Sequence, residues 1–361
     1  MAHELQERYS NMVLAKMRAE LVLKDGIVFN NDYEGSPKAG AVKIPVRDTE
    51  VKVADYDKND GIDANTSSTT YKTLVINKDK AVSEIIDGYD AEAVPDGIVA
   101  ERLDSAGYSM AQTMDTDGGS VLLAEGTSYN TTTISTSNAY DTIVDIRTKM
   151  SKANVPRDNR YLLATPDFYA LLLKDKDHFV GSSNLSDEIK TTGAVGKIAG
   201  FTVYEWNDST TNLQFVCGHP KFATRVNEWS VPIKLEDLKD GTHIGASWIN
   251  GRQVYAHTVT RANAIYSVYS PSLLVGSLAK GSTKKTVIAT ISSGNTGTTY
   301  AYKVNPTLRA KYGQTSTEYG GTTLVSGTTE ISASVGDVIE IVNLSGDKVV
   351  AVTYMTVTEV A

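Results

Sequence analysis

The stretch Gly40-Ala41-Val42-Lys43-Ile44-Pro45-Val46-Arg47, continued by Val51 and Val53, sets the reading of this chain. Val42, Ile44 and Val46 alternate with Lys43, Pro45 and Arg47, the period of two expected of a half-buried strand. A polar, glycine-containing stretch from Asp55 to Thr70 follows, and then a second strand-like run, Tyr71 to Ile76. Together they predict a long hairpin. Two strands alone are marginal in water, and nothing nearby in sequence offers a third strand or a covering helix. The expected support is another copy of the protein.

Outward from the hairpin, helical and extended signals mix. On the N-terminal side, Leu5, Tyr9, Met12, Val13, Met17 and Leu21 recur at helical spacing, with Glu4 and Glu7 early and Lys16, Arg18 and Lys24 late. A helix is expected there, stopped by Gly26. On the C-terminal side, after a turn at Asp87-Gly88 and Pro95, the residues Ile98, Val99, Leu103, Ala106, Met110 and Met114 predict a long helix capped by Asp96. Asp115-Thr116-Asp117-Gly118-Gly119 is expected to be the turn that ends it. A second helix is expected from Asn138 through Ile143, Val144, Ile146 and Met150, ending before Val155-Pro156. Tyr161 to Ala164 is expected to be a buried strand, Pro166 to open a third helix through Phe168, Leu171 and Leu172, and the remainder to Tyr269 to be strand-like. No regular βαβ repeat is present, so the fold class expected is α+β.

The composition changes near Gly281. Thr, Ser and Gly make up 33 of the last 81 residues, which contain no Trp, Phe, His or Cys. Their charges balance, so the net charge of −8 resides in the first 280 residues. Residues 277–283 read as a linker. Short β-branched runs beyond it, Thr286–Ile291, Thr299–Val304, Val338–Val342 and Val349–Val357, predict a small all-β domain over 284–361.

The 361 residues exceed what one compact core usually holds. The longest apolar runs fall far short of the roughly 20 residues of a membrane span, and the first residues lack a secretory pattern, so an intracellular origin and no membrane partner are expected. The single cysteine, Cys217, excludes an internal disulfide framework. An acidic chain of pI near 5.3 is poorly suited to gripping phosphate backbones, and no sequence-specific nucleic-acid binding is expected.

Motifs of catalysis are absent from the sequence. There is no phosphate loop, no Gly-x-Ser-x-Gly elbow, and Gly193, Gly196 and Gly200 are wrongly spaced for a dinucleotide fingerprint. Asp55, Asp57, Asn59, Asp60 and Gly61 resemble the start of a calcium loop. The glycine comes one place late and Thr66 stands where a bidentate Glu is needed, so a solvated hairpin tip is the better reading. His219, His243 and His257 could meet on neighbouring strands, but no acidic residue completes a metal triad, and half-buried histidines are expected. Cys217 reads as a core thiol and Trp206, Trp229 and Trp248 as packing anchors. No catalytic, cofactor or metal site is expected.

The order of an N-terminal helix, a long hairpin, a long helix and an α+β core resembles the major capsid proteins of tailed bacteriophages, the Hong Kong 97-type fold. Asn11-Met12-Val13-Leu14-Ala15 with Leu21-Val22-Leu23 is similar to that family's N-terminal arm. Gly40 to Val46 resembles the start of its extended loop, and Pro95 to Asp115 with Ala100-Glu101-Arg102-Leu103 its spine helix. Val155-Pro156, Arg160 to Leu163, Thr165-Pro166 with Phe168 and Leu171, and Gly196 to Tyr204 look like parts of its axial domain. The resemblance covers about residues 1–275. It implies a capsid core over 1–276, divided into an N-arm (1–33), an extended loop (38–82), a spine helix (about 96–116), a peripheral domain and an axial domain (about 138–255). Residues 284–361 are then a surface-exposed β appendage, immunoglobulin-like or of another β type.

The function implied is a structural, non-enzymatic head protein that self-assembles from hexamers and pentamers into an icosahedral shell around double-stranded phage DNA. Its place is the virion capsid, assembled in the bacterial host cytoplasm. The arm and hairpin would supply the assembly interface through Met12, Met17, Leu21, Val42, Ile44, Val46, Val51, Val53, Tyr71 and Val75. The partners implied are many copies of the chain, a portal, and a separate scaffolding protein, because no long leader precedes the first helix. A cementing protein is a further candidate. Some relatives weld subunits through a Lys–Asn isopeptide bond. Lys58, Lys72 and Lys78 lie on or beside the hairpin, but no Asn–Glu pair suited to the reaction stands out, so a non-covalent shell is expected. The rival reading is an extracellular surface-layer or adhesin-type β protein, suggested by the Thr/Ser/Gly-rich tail and opposed by the missing secretion signal; an enzyme with an unrecognised site comes after it.

Overall fold

The computed structural model describes residues 18, 21–33, 40–46, 50–51, 53–58, 69–88, 98–175, 196–239, 241–292 and 299–361. The chain divides into two compact units, Met1–Gly126 with His219–Ile265 and Thr127–Gly218 with Tyr266–Ala361. The stretch expected to be the axial domain, 138–255, crosses this division. The strands at its end pack with the long helix of the first unit instead.

In the first unit, helix α1 (Ile98–Glu125) lies on an antiparallel sheet of β3 (Lys78–Ile86), β10 (Ser247–Val259) and β9 (Ala223–Asp237), in the order β3-β10-β9. Val99, Leu103 and Ala106 recur every third or fourth residue and meet Ile86, Ile249 and Ile233 of the sheet. The helix does not end at Asp115-Thr116-Asp117-Gly118-Gly119, as the sequence suggested, but runs through these residues to Glu125. Gly118 serves close packing there. A Cβ at this position would lie 3.0 Å from the Phe29 ring and 3.3 Å from Nε2 of His257. Close packing outweighs the penalty of about 1 kcal/mol for a helical glycine.

The arm differs from expectation as well. Leu21 to Lys24 are not helical, and a turn follows at Gly26–Val28. The Leu23 N–H is taken by Asp115 (3.0 Å) and its carbonyl by Arg225 (2.8 Å), so neither serves a helix. Asn30 then pairs with the start of β9. The rest of the expected N-terminal helix, Arg18 apart, lies outside the described residues. The hairpin is present as β1 (Ala41–Val46) and β2 (Thr70–Val75), paired from Ala41↔Val75 to Val46↔Thr70. Val51 and Val53 are not in strand, and much of the calcium-like stretch lies outside the described residues.

The second unit holds a six-stranded sheet of β4 (Thr127–Asn130), β11 (Tyr266–Tyr269), β8 (Leu213–Gly218), β5 (Arg160–Ala164), β7 (Phe201–Glu205) and β6 (Lys197–Ile198), in that order. All five residues of β5 are buried, as a central strand requires. Helix α2 (Ala139–Lys152) buries Ile143, Ile146 and Met150, and Arg160 secures the loop after it by donating to the carbonyls of Val155 and Pro156, each at 2.7 Å. Helix α3 (Pro166–Lys174) starts at Thr165, whose Oγ1 accepts the Phe168 N–H while Pro166 occupies the first turn. Between β6 and β7 the two-residue turn Ala199-Gly200 has φ of 46° and 86°. Both positive values mark the mirror-image turn that favours Asn-Gly. Ala199→Asn is expected to stabilise the protein by about 0.5–1 kcal/mol, read as a rise in Tm of about 2–4 °C.

Residues 277–283, expected to be a linker, are largely strand. β13 (Gly276–Lys280) pairs with β14 (Thr286–Ile291), and Leu278 packs into the core of the C-terminal sandwich. The small residues that suggested flexibility serve close approach, since a Cβ on Gly281 would collide with Thr286. β17 (Glu330–Ser332) completes this sheet. The facing sheet has the order β12 (Ser272–Leu273), β19 (Lys348–Thr356), β18 (Val338–Ser345), β15 (Thr299–Val304) and β16 (Thr322–Leu324). Val287, Ala289 and Ile331 of the first sheet meet Leu324, Ile339 and Ile341 of the second.

Candidate functional site

The hairpin, the arm and α1 form one connected arrangement within the first unit. Antiparallel pairing puts Val42/Leu74, Ile44/Lys72 and Val46/Thr70 on one face of the hairpin and Ala41/Val75, Lys43/Thr73 and Pro45/Tyr71 on the other. The first face is turned toward its own chain. Ile44 (1% exposed) and Leu74 pack on Val226 of β9 and Ala256 of β10, with Val42 beside them. Burying two such side chains stabilises the root by about 1.5–3 kcal/mol each. The expectation that another copy supports the hairpin is thus corrected at its root. Its root is held by strands nearly two hundred residues away in sequence.

The opposite face is open. Tyr71 is 63% exposed, Val75 56%, and Val51 and Val53, farther along, 73% and 97%. The ten residues expected at the assembly interface therefore separate. Val42, Ile44 and Val46 lie on the inward face, whereas Val51, Val53, Tyr71 and Val75 are exposed. Leu21 is half-buried and lines, with Leu23, Met110, Met114 and Ile233, a cavity of about 430 Å³. Met12 and Met17 lie outside the described residues.

Three carboxylates of α1, Asp115 and Asp117 of the expected turn and Glu125, which the sequence did not single out, tie the pieces together. Asp115 accepts the Leu23 N–H of the arm; burial dominates and raises its carboxyl above the usual range. Asp117 accepts from Lys78 Nζ (3.0 Å) and the Tyr255 hydroxyl (2.8 Å). Glu125 accepts from Lys72 Nζ (2.7 Å), the Thr258 hydroxyl (2.9 Å) and the Val259 N–H (3.0 Å). Desolvation alone would raise Asp117 and Glu125, but their donors prevail and hold both below the ordinary carboxylate range. Lys72 also donates to the Val259 carbonyl at 2.5 Å. Two of the three hairpin lysines are thus committed within their own chain. The missed signal was the apolar period of α1, which, carried past Met114, places 117, 121 and 125 on the packed side.

The remaining candidates are dispersed. His219 accepts the Lys221 N–H, His243 contacts Thr242, and His257 accepts from Arg225, so the three histidines do not converge. Among the described residues no three metal-ligating side chains gather, and no helix is long and apolar enough to cross a membrane. Cys217 is fully buried, and burial pushes its thiol far up. Trp206 is a core residue. Trp229 and Trp248 stand on the outer face of the β3-β10-β9 sheet, where Arg252 covers the first and Ser83 accepts from the second.

Solved structures share the fold. A Mycobacterium phage Che8 chain is 23% identical, with a TM-score of 0.63 over 73% of this chain and 96% of its own. The capsid structure of the cyanophage P-SCSP1u is 11% identical, with a TM-score of 0.61 over 73% and 92%. The capsid of a native GTA particle is 12% identical, with a TM-score of 0.55 over 74% and 95%. No curated protein matches the sequence. The family model described as phage capsid protein matches residues 84–268, from the end of β3 through α1, the six-stranded sheet, β9 and β10 to β11. The chain belongs to the phage capsid protein family, and its α+β architecture is the Hong Kong 97-type capsid fold.

Proposed function

We propose that this capsid protein is the major subunit of an icosahedral head enclosing double-stranded DNA, built from hexamers and pentamers of itself. The observation that carries the reading is the division of the hairpin. Its root is fastened by Ile44, Leu74 and Lys72, while Tyr71, Val75, Val51 and Val53 are left exposed. Apolar groups on such an element are best covered by a neighbouring copy, and closed symmetry repeats a weak contact many times. The net charge of −8 suits a container that need not grip its contents.

In this reading the shell is non-covalent and non-enzymatic, and assembles in the bacterial host cytoplasm with a portal at one vertex and a separate scaffolding protein. The C-terminal domain or a cementing protein adds contacts outside. The C-terminal sandwich is a surface addition of immunoglobulin-like type. Support comes from its strand order, with β13, β14 and β17 in one sheet and β15, β16, β18 and β19 in the other. It also comes from the share of the chain left uncovered by the solved structures, which is close in size to residues 276–361.

The test is assembly. Wild-type protein is expected to close into shells visible by negative-stain microscopy. The double variant Val53→Asp/Tyr71→Asp is expected to stay folded, with Tm within about 2 °C of wild type, and to form none. Shells of normal yield from that variant would remove the exposed face from the interface.

A further inference from the structure

Besides the Leu23 N–H taken by Asp115, the arm is held at two points of different chemistry. Asn30 pairs with β9 through backbone bonds to Ala223 and Arg225, both 2.8 Å, and its side chain accepts from Thr224 and donates to the Pro220 carbonyl. None of these groups titrates near neutrality. The second point is Arg225, a buried guanidinium that donates Nη2 to the Leu23 carbonyl (2.8 Å), Nη1 to Asp25 (3.2 Å) and Nε to Nε2 of His257 (2.9 Å). The same guanidinium lies 4.9 Å above the Phe29 ring, whose centroid is 5.0 Å from that of His257. His257 is thus one of the groups that fix the guanidinium on which the contacts of Leu23, Asp25 and Phe29 with Arg225 rest.

Arginine has only donors, so Nε2 of His257 must be the acceptor and the ring proton is assigned to Nδ1. Nδ1 is buried with no partner. A second ring proton would set two donors and two positive charges 2.9 Å apart in a site that excludes water. We propose that His257 and Arg225 form an acid-sensitive latch for the N-terminal arm. Protonation of the imidazole displaces the guanidinium and frees residues 21–29 from α1, while Asn30 remains paired as the hinge.

The surroundings set the direction. Burial first, then the Arg225 charge, lowers His257 from 6.5 to about 3; Asp117 opposes this and Lys78 adds to it, and Tyr255 packs edge-on at 5.4 Å. A histidine depressed in the docked state contributes stability above its ordinary pKa, and that stability is lost as pH falls below it. Asp115, raised by burial, acts oppositely but only near the carboxylate range, and Asp25 stays on the exposed side of Arg225. Between about pH 8 and about pH 5.5 the histidine governs.

The test is hydrogen exchange on the full chain, with protection corrected for the intrinsic effect of pH. If the freed imidazole regains its ordinary pKa of about 6.5, protection of the Leu23 and Phe29 amides is expected to fall about tenfold from pH 8 to pH 5.5 and about a hundredfold by pH 4.5. The Ala256 and Val226 amides keep theirs. His257→Gln, which can still accept from Arg225, is expected to abolish the pH dependence. In wild type, NMR titration gives a check independent of any variant. Uniform loss of protection across the unit, no loss at 21–29, or a His257 that titrates near 6.5 with the arm in place would each overturn the latch.

Discussion

Ile44→Asp is expected to destabilise the first unit by about 4 kcal/mol or more and to remove most of the soluble, folded protein. Ile44 is 1% exposed, and its contacts are Leu74, Val226 and Ala256, none of which can answer a carboxylate. The cation paired with it across the hairpin is that of Lys72, but this ammonium already serves Glu125 and the Val259 carbonyl. Drawing it to the introduced carboxylate would leave Glu125 and a backbone carbonyl short of a donor. A domain's whole stability is about 5–15 kcal/mol, so one such change is a large share of it. The measurement is denaturant unfolding with soluble yield, set beside Tyr71→Asp, one position away on the opposite strand and on the open face. The expectation is an unstable Ile44→Asp protein and a stable Tyr71→Asp protein. Shells from Ile44→Asp at wild-type yield would mean that the root is not held by its own chain.

That contrast marks where the sequence stops being informative. The alternation of Val42, Ile44 and Val46 is a local signal, and the hairpin follows from it. Which face turns inward is not local. Tyr71 and Val75 are as apolar as the residues behind them, and the deciding partners, Val226 and Ala256, arrive much later in the chain. The same limit explains α1. Its start could be read from its apolar stripe, but Asp115-Thr116-Asp117-Gly118-Gly119 looks like a turn until Phe29, Leu23 and Lys78 are placed against it. For the same reason the sequence does not show Lys72 and Lys78 meeting Glu125 and Asp117. By contrast Thr165-Pro166, a cap and a first-turn proline, and Tyr161 to Ala164, a short run bounded by turns, carry their instructions within a few residues and form as expected, the strand starting one residue earlier at Arg160. Residues 277–283 show the opposite error, because Gly and Ser mark close approach as often as they mark flexibility.

The strand in place of a linker changes what truncation should do. An independent appendage could be removed after Leu278 without harm, but the described contacts oppose this. Leu274 is buried, and its N–H donates to the Val352 carbonyl of β19. β12 is the edge strand of the appendage's own sheet, paired with Ala351 and Val352. Tyr312 stacks on Tyr269 with ring centroids 5.6 Å apart, and its N–H donates to the Thr131 carbonyl. Arg309 covers Tyr354. A stop after Leu278 strips β12 and β13 of their partners, uncovers Leu274 and one face of Tyr269, and leaves half a strand unpaired. Losing one buried leucine, one aromatic pair and two backbone hydrogen bonds is expected to destabilise the second unit by about 4 kcal/mol. The corresponding fall in Tm is on the order of 10 °C, with aggregation through the exposed edge. The check is calorimetry and solubility of the chain ended at Leu278. A truncated protein that melts with wild type and closes normal shells would make the appendage separable after all, and the contacts at Tyr269 and Leu274 would then be incidental to the core.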